Sequence, residues 1–281
     1  MASAPEHWIC GSCRSLNEPR AQRCYKCRTP RELVEANPET LLVAGAGASD
    51  SSAAVAAAAR AAVLGGYRSS SIRAAVAQGL ILATAGVAVV ASAVGADAVA
   101  LVLADDTQDG VAQTGLLVVL GLVSVAFAVA ALVGWSAWLS RVVDNVPTVG
   151  LGWPKVTPQA AFIESFLPGL NLLRVPSIIR DVVTRLEPQG GSGDALLTAA
   201  WLGLVGGIAV PRGGAFLASF VVTTVEQAAT VRVFLGQIGV GLTVVGAVLL
   251  VVLIRRIESA MEARGADVRA EEPAGQLEPS S

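Results

Sequence analysis

Charged residues and histidine are scarce in this chain of 281 residues. Charged side chains make up 15% of it, whereas soluble domains contain about 25%, and the single histidine is His7. The chain contains no Ser/His/Asp set, no HExxH metalloprotease motif and no phosphate-binding P-loop. These absences disfavour the common hydrolytic and phosphoryl-transfer chemistries, and we predict that the protein is not an enzyme.

Long apolar runs dominate most of the chain. Hydrophobic residues account for 53% of the sequence, and the charged residues lie between the apolar runs. Runs of this length and composition predict an all-α integral membrane protein in contact with the lipid bilayer. The four predicted transmembrane helices cover about 74–96, 114–139, 195–211 and 231–254, and the third could continue through Gly213 and Gly214 to about Val222. The polar N-terminal segment has no apolar signal-peptide region, so we expect no cleavable signal peptide.

All four cysteines of the chain lie near its N-terminus, in two CxxC pairs. They are Cys10, Cys13, Cys24 and Cys27. Two such pairs present four thiolates on tight turns, which suits one tetrahedral Zn²⁺ ion. Because protein would supply all four ligands, the predicted site is structural and leaves no position open for catalysis. Two disulfides in a secreted domain are the alternative that this pattern leaves open.

The residues around the cysteines add a more specific pattern. Trp8 stands two residues before Cys10, and Asn17 stands four residues after Cys13. This spacing resembles the Ran-binding protein 2 type zinc finger, which implies short β-hairpins around one zinc with Trp8 and Asn17 as framework residues. A module of this size cannot bury enough core to fold unaided, so metal binding would supply its folding energy.

The same resemblance bears on what the finger binds. Members that bind ubiquitin carry Thr-Phe after the second cysteine, where this chain has Arg14 and Ser15. RNA-binding members place an aromatic residue after the asparagine, where this chain has Glu18. The resemblance therefore argues against ubiquitin and against RNA, and we expect a cytosolic protein partner.

Composition divides the chain into four segments. The zinc finger covers 1–31, and 32–71 is an Ala/Ser/Gly-rich stretch typical of a flexible linker. The four-span membrane domain covers 72–257, and 258–281 is predicted to be a disordered cytosolic tail. The predicted fold is thus a helical membrane domain carrying a small N-terminal zinc-bound β-hairpin module.

Residues 158–176 form an apolar stretch that is too short and too interrupted for an ordinary span. If it is a re-entrant or interfacial hairpin, most arginines lie on one side of the membrane and the Asp-rich loop 97–109 lies on the other. Positive residues favour the cytoplasmic side. This predicts a multi-pass protein of the cell (inner or plasma) membrane with both termini in the cytoplasm, where thiols stay reduced for zinc.

The centre of the chain resembles a bacterial membrane family called domain of unknown function 4328. The matching positions are Trp138, Arg141, Asn145, Pro158, Phe166, Pro168, Asn171, Leu172 and Pro176. The resemblance implies a multi-span membrane protein and no established activity. Glu164 and Ser165 depart from the pattern, because the family tends to carry aromatic residues there.

Six of the central residues form a predicted membrane-hairpin site. They are Arg141, Asn145, Glu164, Pro168, Asn171 and Pro176. The break at Pro168 frees backbone groups, which must be bonded at membrane depth, and the Asn and Arg side chains could bond them. One interpretation is a structural hairpin held by polar contacts. The alternative is a small channel or transporter in which Glu164 is an intramembrane ionisable group.

Three local patterns carry further expectations. Trp135 and Trp138 suit an interfacial aromatic belt. The segment 178–186 has the spacing of an amphipathic helix, which would lie on the inner leaflet or lead, solvated, into the next span. Glycines at 203–207 lie within an apolar run, where small residues serve helix packing.

Overall fold

The described part of the chain is almost entirely helical. The computed structural model describes residues 8–10, 16–18, 21–26, 30–31, 67–104, 107–152, 154–167, 169–187, 192–221 and 224–270. Within them, strands β1 and β2 cover Trp8–Ile9 and Leu16–Asn17. The helices are α1 (Ser71–Leu103), α2 (Thr107–Asn145), α3 (Pro158–Phe166), α4 (Leu170–Leu186), α5 (Gly193–Val221) and α6 (Val225–Ala270).

Four of these helices are long and apolar enough to cross a membrane, as the sequence predicts. The candidate spans are Ser71–Leu101, Val111–Asn145, Gly193–Phe220 and Glu226–Ala266. Each helix is longer than the apolar run within it, because a bilayer core requires only about 20 residues and helices continue into the polar layer. Helix α5 passes through Pro211 and continues to Val221, which agrees with the longer of the two extents predicted for the third span.

The outer faces of the spans carry large apolar side chains that no other part of the described chain covers. Leu122 of α2, Leu217 of α5 and Phe234 of α6 are each more than 60% exposed. Apolar surface of this extent is unfavourable in water but not against lipid tails. The exposed faces are those of a membrane domain surrounded by acyl chains.

Helices α5 and α6 approach each other closely at glycines. A Cβ atom added to Gly203 would lie 2.8 Å from the Cα of Gly246. A Cβ atom added to Gly246 would lie 2.6 Å from the backbone nitrogen of Leu204. Such approach between backbones needs residues without side chains, so the expected packing role of the 203–207 glycines is confirmed.

The buried core lies at one end of the bundle, which we call the polar end because charged residues surround it. Here α1 begins, α2 ends, α5 begins and the second half of α6 passes, with α3 and α4 packed alongside. Trp135 and Trp138 are 7% and 0% exposed and belong to this core. The prediction of an interfacial aromatic belt is therefore wrong: both rings face neighbouring helices, and Trp138 has a polar partner on α6.

Helices α3 and α4 form the hairpin predicted over 158–176. Thr157 caps α3 by accepting a hydrogen bond from the Ala160 amide at 3.1 Å, and Pro158 occupies the first helical turn. Gly169 then turns the chain into α4 with a φ of 80°, a conformation that favours glycine. The segment is not one of the four candidate spans among the described residues.

The tip of this hairpin, at the Gly169 turn, and its open end, where α4 ends at Leu186, contact the bundle at different levels. Near the tip, Trp201 donates its indole hydrogen to the Leu172 carbonyl at 3.0 Å, about two turns into α5. At the other end, Arg264 of α6 donates to the Leu186 carbonyl at 3.2 Å. About 21 Å of helix separates these two contacts. Helix α4 therefore runs alongside the spans, with the hairpin tip level with Trp201.

The apolar face of α4 packs on protein. Ile178, Ile179 and Val182 are nearly fully buried and belong to the same core as Trp138. Because this face contacts protein, the expectation that 178–186 lies on the inner leaflet through its apolar residues is wrong. Exposed Arg180 and Thr184 agree with the alternative of a helix with a solvated face that leads into the next span. The helical spacing of the apolar residues was interpreted correctly, but their partners are other helices of the chain.

Helix α6 extends beyond the end of the predicted membrane domain. It continues to Ala270, and Ile257 and Met261 are 2% and 0% exposed. The predicted disordered tail over 258–281 is therefore wrong for 258–270, because apolar residues at helical spacing continue the buried face. Residues 271–281 lie outside the described residues, as do 32–66 of the predicted linker.

The close approach of α5 and α6 gives a matched pair of variants. We expect Gly246→Ala to lower the free energy of unfolding by about 1–3 kcal/mol, because the added methyl group meets backbone atoms and forces the helices apart. Gly241→Ala lies on the same helix in open space and should be neutral or stabilising by up to about 1 kcal/mol. Thermal unfolding in detergent, followed by circular dichroism, measures both, and equal effects would contradict the packing.

Candidate functional site

The N-terminal module has a small hydrogen-bonded framework around Trp8 and Asn17. Strands β1 and β2 pair antiparallel, with Trp8 opposite Asn17. The Trp8 indole donates to the Ala21 carbonyl at 2.9 Å, and the Tyr25 amide donates to the Asn17 side chain at 2.8 Å. Asn17 also donates to the Trp8 carbonyl at 3.4 Å. The two side chains thus join the strands to the segment that carries the second cysteine pair.

One cysteine of each CxxC pair lies in the small core of this module. Cys10 and Cys24 are both 0% exposed and pack with Trp8. Cys13 and Cys27 lie outside the described residues, and the described part of the chain holds no group of three metal-ligating side chains. Burial of Cys10 and Cys24 in one cluster fits a shared tetrahedral thiolate site, for which four sulfur ligands suit zinc.

A buried carboxylate joins three elements at the polar end. Glu258 of α6 is 7% exposed, and one of its oxygens, Oε1, accepts two hydrogen bonds of 2.7 Å. The donors are the Trp138 indole of α2 and the Ser70 hydroxyl, just before α1. The other oxygen, Oε2, is buried and has no hydrogen-bond partner among the described residues. Glu258 thereby links the start of α1, the end of α2 and the second half of α6.

Asn145 makes a second link at the same end. Its side-chain amide donates to the Arg68 carbonyl at 2.9 Å, and the residue itself is buried. The segment that leads into α1 is therefore bonded to the end of α2 by Asn145 and to α6 through Ser70.

Asp144 connects the N-terminal module to the membrane domain. Its carboxylate pairs with Arg141 at 3.3 Å on the same helix and with Lys26 of the module at 2.9 Å. The Asp144 and Arg141 side chains are only 13% and 16% exposed. Partial burial screens this pair less than a surface pair, so Asp144 provides a defined contact point for the module.

The hairpin tip is stabilised by its own residues. The Asn171 side chain donates to the Ser165 carbonyl over a long distance of 3.5 Å, and the Asn171 amide bonds to the Leu167 carbonyl at 3.0 Å. Glu164 lies on α3 with its Oε2 atom buried and without a hydrogen-bond partner among the described residues. Pro168 lies outside the described residues.

Pro176 has a specific consequence inside α4. A proline has no N–H, so the carbonyl four residues earlier loses its helical partner. That carbonyl belongs to Leu172, and it is the one to which Trp201 of α5 donates. The proline thus leaves an acceptor open on α4 that anchors the hairpin to the third span.

The five described residues of the predicted hairpin site do not form one cluster of direct contacts. Arg141 and Asn145 bond to Asp144 and to the Arg68 carbonyl at the end of α2. Asn171 bonds within the hairpin tip, and Pro176 acts through Leu172. The expectation that Asn145 and Arg141 bond the backbone freed at the tip is therefore wrong, because both side chains have nearer partners.

Ion pairs also hold the open end of the hairpin. Arg185 pairs with Asp181 at 3.1 Å one turn away on α4, and Arg256 of α6 pairs with Glu187 at 2.6 Å. Arg185 also donates to the Leu151 carbonyl at 3.0 Å. These contacts connect α4 to α6 and to the loop that follows α2.

Sequence reasoning missed Ser70 and Glu258. Ser70 is one of many serines in a predicted linker, and nothing in its neighbourhood marks it as buried. The sequence around Glu258 does indicate a buried position, because Ile254, Ile257 and Met261 continue an apolar helical face around it. A carboxylate on such a face has to be paired.

The family comparison covers most of this polar end. The model of the family described as Domain of unknown function (DUF4328) matches residues 103–259, more than half of the chain. The chain belongs to the DUF4328 family. The match includes α2, the hairpin, α5 and α6 as far as Glu258, so the predicted resemblance is confirmed over this range.

The remaining comparisons add no relative to this DUF4328 protein. No curated protein and no solved structure matches the chain. The family description states no activity, and the N-terminal module and most of α1 lie outside the matched range. With four helices long and apolar enough to span the bilayer, the chain is a multi-pass membrane protein of unestablished activity.

The Glu258 link yields a test of stability. We expect Trp138→Phe to lower the free energy of unfolding by about 1–3 kcal/mol beyond the effect of ring size, because a buried carboxylate loses a donor. Trp135→Phe is the matched control, since it shortens the neighbouring buried ring without removing a hydrogen bond to Glu258. Denaturant titration of the protein in detergent measures both, and equal losses would contradict a role for the Trp138–Glu258 hydrogen bond.

Proposed function

We propose that this DUF4328 protein carries a cytosolic structural zinc finger that acts as a protein-interaction module on a membrane anchor. The observation that supports it most is the module's framework, in which Trp8 and Asn17 bond the two strands around buried Cys10 and Cys24. These are the residues that the zinc-finger spacing singles out. A small metal-stabilised fold needs such a framework, in which a tryptophan, an asparagine and two cysteines lie close together.

Zinc would be held by Cys10, Cys13, Cys24 and Cys27. When bound, the ion would supply the folding energy that so small a core lacks. The buried indole of Trp8 excludes water from one side of the cysteine cluster. With four protein thiolates the site has no vacancy for substrate, so we assign the module to binding and not to catalysis.

The contact between Lys26 and Asp144 supports a fixed location for the module. The ion pair places the segment after Cys24 at the end of α2. A partner bound to the module would then be held at the membrane surface, beside the polar end. Glu18, which follows the framework asparagine, is exposed, and an acidic side chain there disfavours contact with an RNA backbone.

The charge distribution supports the orientation. Arg68, Arg73, Arg141, Arg185, Arg256 and Arg264 all lie at the polar end, whereas Asp97 lies toward the other end of α1. Because positive residues favour the cytoplasmic side, this distribution supports a cytoplasmic polar end in an inner or plasma membrane. The α3–α4 hairpin then enters the membrane from the cytoplasmic side as a re-entrant element, which its tip at the level of Trp201 favours.

Metal content and partner capture test this proposal together. We expect the purified full-length protein to contain one zinc per chain and Cys10→Ser/Cys24→Ser to contain none, because two of four ligands are lost. His7→Ala is the control and should retain zinc, since four thiolates complete the coordination. A cytosolic protein captured by wild type and by His7→Ala, but lost with Cys24→Ser/Cys27→Ser, is the expected second result.

The two readouts separate the parts of the proposal. Absence of zinc from wild-type protein, with oxidised thiols, would contradict the finger itself. Zinc present without any captured protein would contradict the interaction role and leave the finger as a folding element.

A second function, a small channel or transporter built on 158–176, rests on one observation. Glu164 has a buried Oε2 atom without a hydrogen-bond partner among the described residues, and intramembrane carboxylates mark ion pathways. We expect that proteoliposomes of the full-length protein show no ion flux above empty liposomes. A flux that is lost in Glu164→Ala and altered in Glu164→Gln would favour the second function over the first.

A further inference from the structure

Three arginines line one face of α2 at the polar end. Arg73 of α1 donates from Nη1 to the Ala137 carbonyl at 3.2 Å. Arg141 lies four residues after Ala137 on α2. Four residues further on, Asn145 donates a hydrogen bond to the Arg68 carbonyl. Positions four apart lie above one another on a helix. The Arg73 and Arg141 side chains and the Arg68 backbone therefore follow one another along about two turns of α2.

The positive charge of these arginines exceeds the negative charge of the carboxylates near them. Asp144 pairs with Arg141 at 3.3 Å. Asp144 also pairs with Lys26, so it is shared between two cations. The other carboxylate of this region, Glu258, is bonded by Trp138 and Ser70 inside the bundle. The exposed side of the group keeps an excess of positive charge.

Several N–H groups of these arginines have no protein acceptor among the described residues. Arg68 and Arg73 are exposed, and Arg68 makes no side-chain hydrogen bond or ion pair among the described residues. Arg73 uses one donor on a carbonyl, out of the five that a guanidinium carries. The Nε atom of Arg141 is buried and has no partner among the described residues.

The group lies where the apolar surface of the membrane domain begins. Arg73 is in the first turn of α1. Its neighbours Ile72 and Val76 are 80% and 51% exposed, and the rest of the span carries no charged side chain until Asp97. The arginines thus lie where the charged start of α1 meets its apolar span, with Val76 about one turn further into the span than Arg73.

We infer that Arg68, Arg73 and Arg141 form a binding site for the phosphate of an anionic phospholipid headgroup. Guanidinium groups bind phosphate oxygens in a two-pronged geometry, and anionic lipids are concentrated in the cytoplasmic leaflet. A free phosphate ion offers the same oxygens. The lipid is favoured because its acyl chains would lie against exposed Val76 and Leu82 of the span, whereas a free ion gains nothing from these side chains.

Native mass spectrometry of the full-length protein in neutral detergent tests this site. The probes are phosphatidylglycerol, zwitterionic phosphatidylcholine and inorganic phosphate. We expect the first phosphatidylglycerol to bind about tenfold more tightly than phosphatidylcholine, as one or two arginine contacts would give. In Arg68→Gln/Arg73→Gln the preference should disappear, and in the control Arg174→Gln, which removes an exposed arginine of α4, it should remain.

Other results would overturn the site. Equal binding of the two lipids by wild type, or an unchanged preference in the double glutamine variant, would contradict it. An equal loss of the phosphatidylglycerol preference in Arg174→Gln would mean that general surface charge, and not this site, causes the preference. Inorganic phosphate that binds as tightly as phosphatidylglycerol would mean that the ligand is a soluble anion. If the glutamine variant loses helical structure, Arg68→Lys/Arg73→Lys replaces it. That variant keeps the charge and should retain a reduced preference, and full wild-type affinity would contradict two-pronged recognition.

Discussion

The buried carboxylate of Glu258 is the interaction on which the polar end depends. A carboxylate that loses water must be compensated by hydrogen bonds, and here the compensation comes from Trp138 on α2 and from Ser70 before α1. Because the three groups belong to distant parts of the chain, satisfying one charge brings three elements together. The start of α1, the end of α2 and the second half of α6 are thereby held in one arrangement, and Asp144 and the arginines beside it take their positions from that arrangement.

The two ends of the bundle obey different constraints. Along the apolar spans, lipid removes the hydrophobic drive for helices to associate, and close packing takes its place, as where Gly203 meets Gly246. At the polar end, backbone and side-chain groups must find partners. Pro176 illustrates the connection between the two, because it leaves the Leu172 carbonyl open and Trp201 bonds it within the apolar part of α5. The hairpin is thus fixed by one hydrogen bond at its tip and by ion pairs at its open end.

The features that sequence reasoning predicts well are those that local chemistry determines. Four spans follow from four apolar runs, because bilayer thickness sets the length of the run. The spacing around the cysteines singles out Trp8 and Asn17, whose side chains hydrogen-bond within the N-terminal module, while the zinc finger itself stays a prediction. The partners of Asn145, Trp138 and Glu258 could not be predicted, since each lies far away in sequence and is chosen by how the helices pack. The end of α6 could not be predicted for a related reason. The charges at 255–256 indicate the end of the membrane domain, whereas the buried apolar face continues to Met261.

The hydrogen bonds of Glu258 hold α6 and the start of α1 in place at the polar end. Hydrogen–deuterium exchange of the full-length protein in lipid nanodiscs tests it most directly, with Glu258→Ala beside wild type. We expect slow exchange of the amides from 257 to 265 in wild type, and faster exchange in the variant both there and at 70–74. Exchange at the rate of an unstructured peptide over 257–265 in wild type would contradict it, as would a variant in which 70–74 is unchanged.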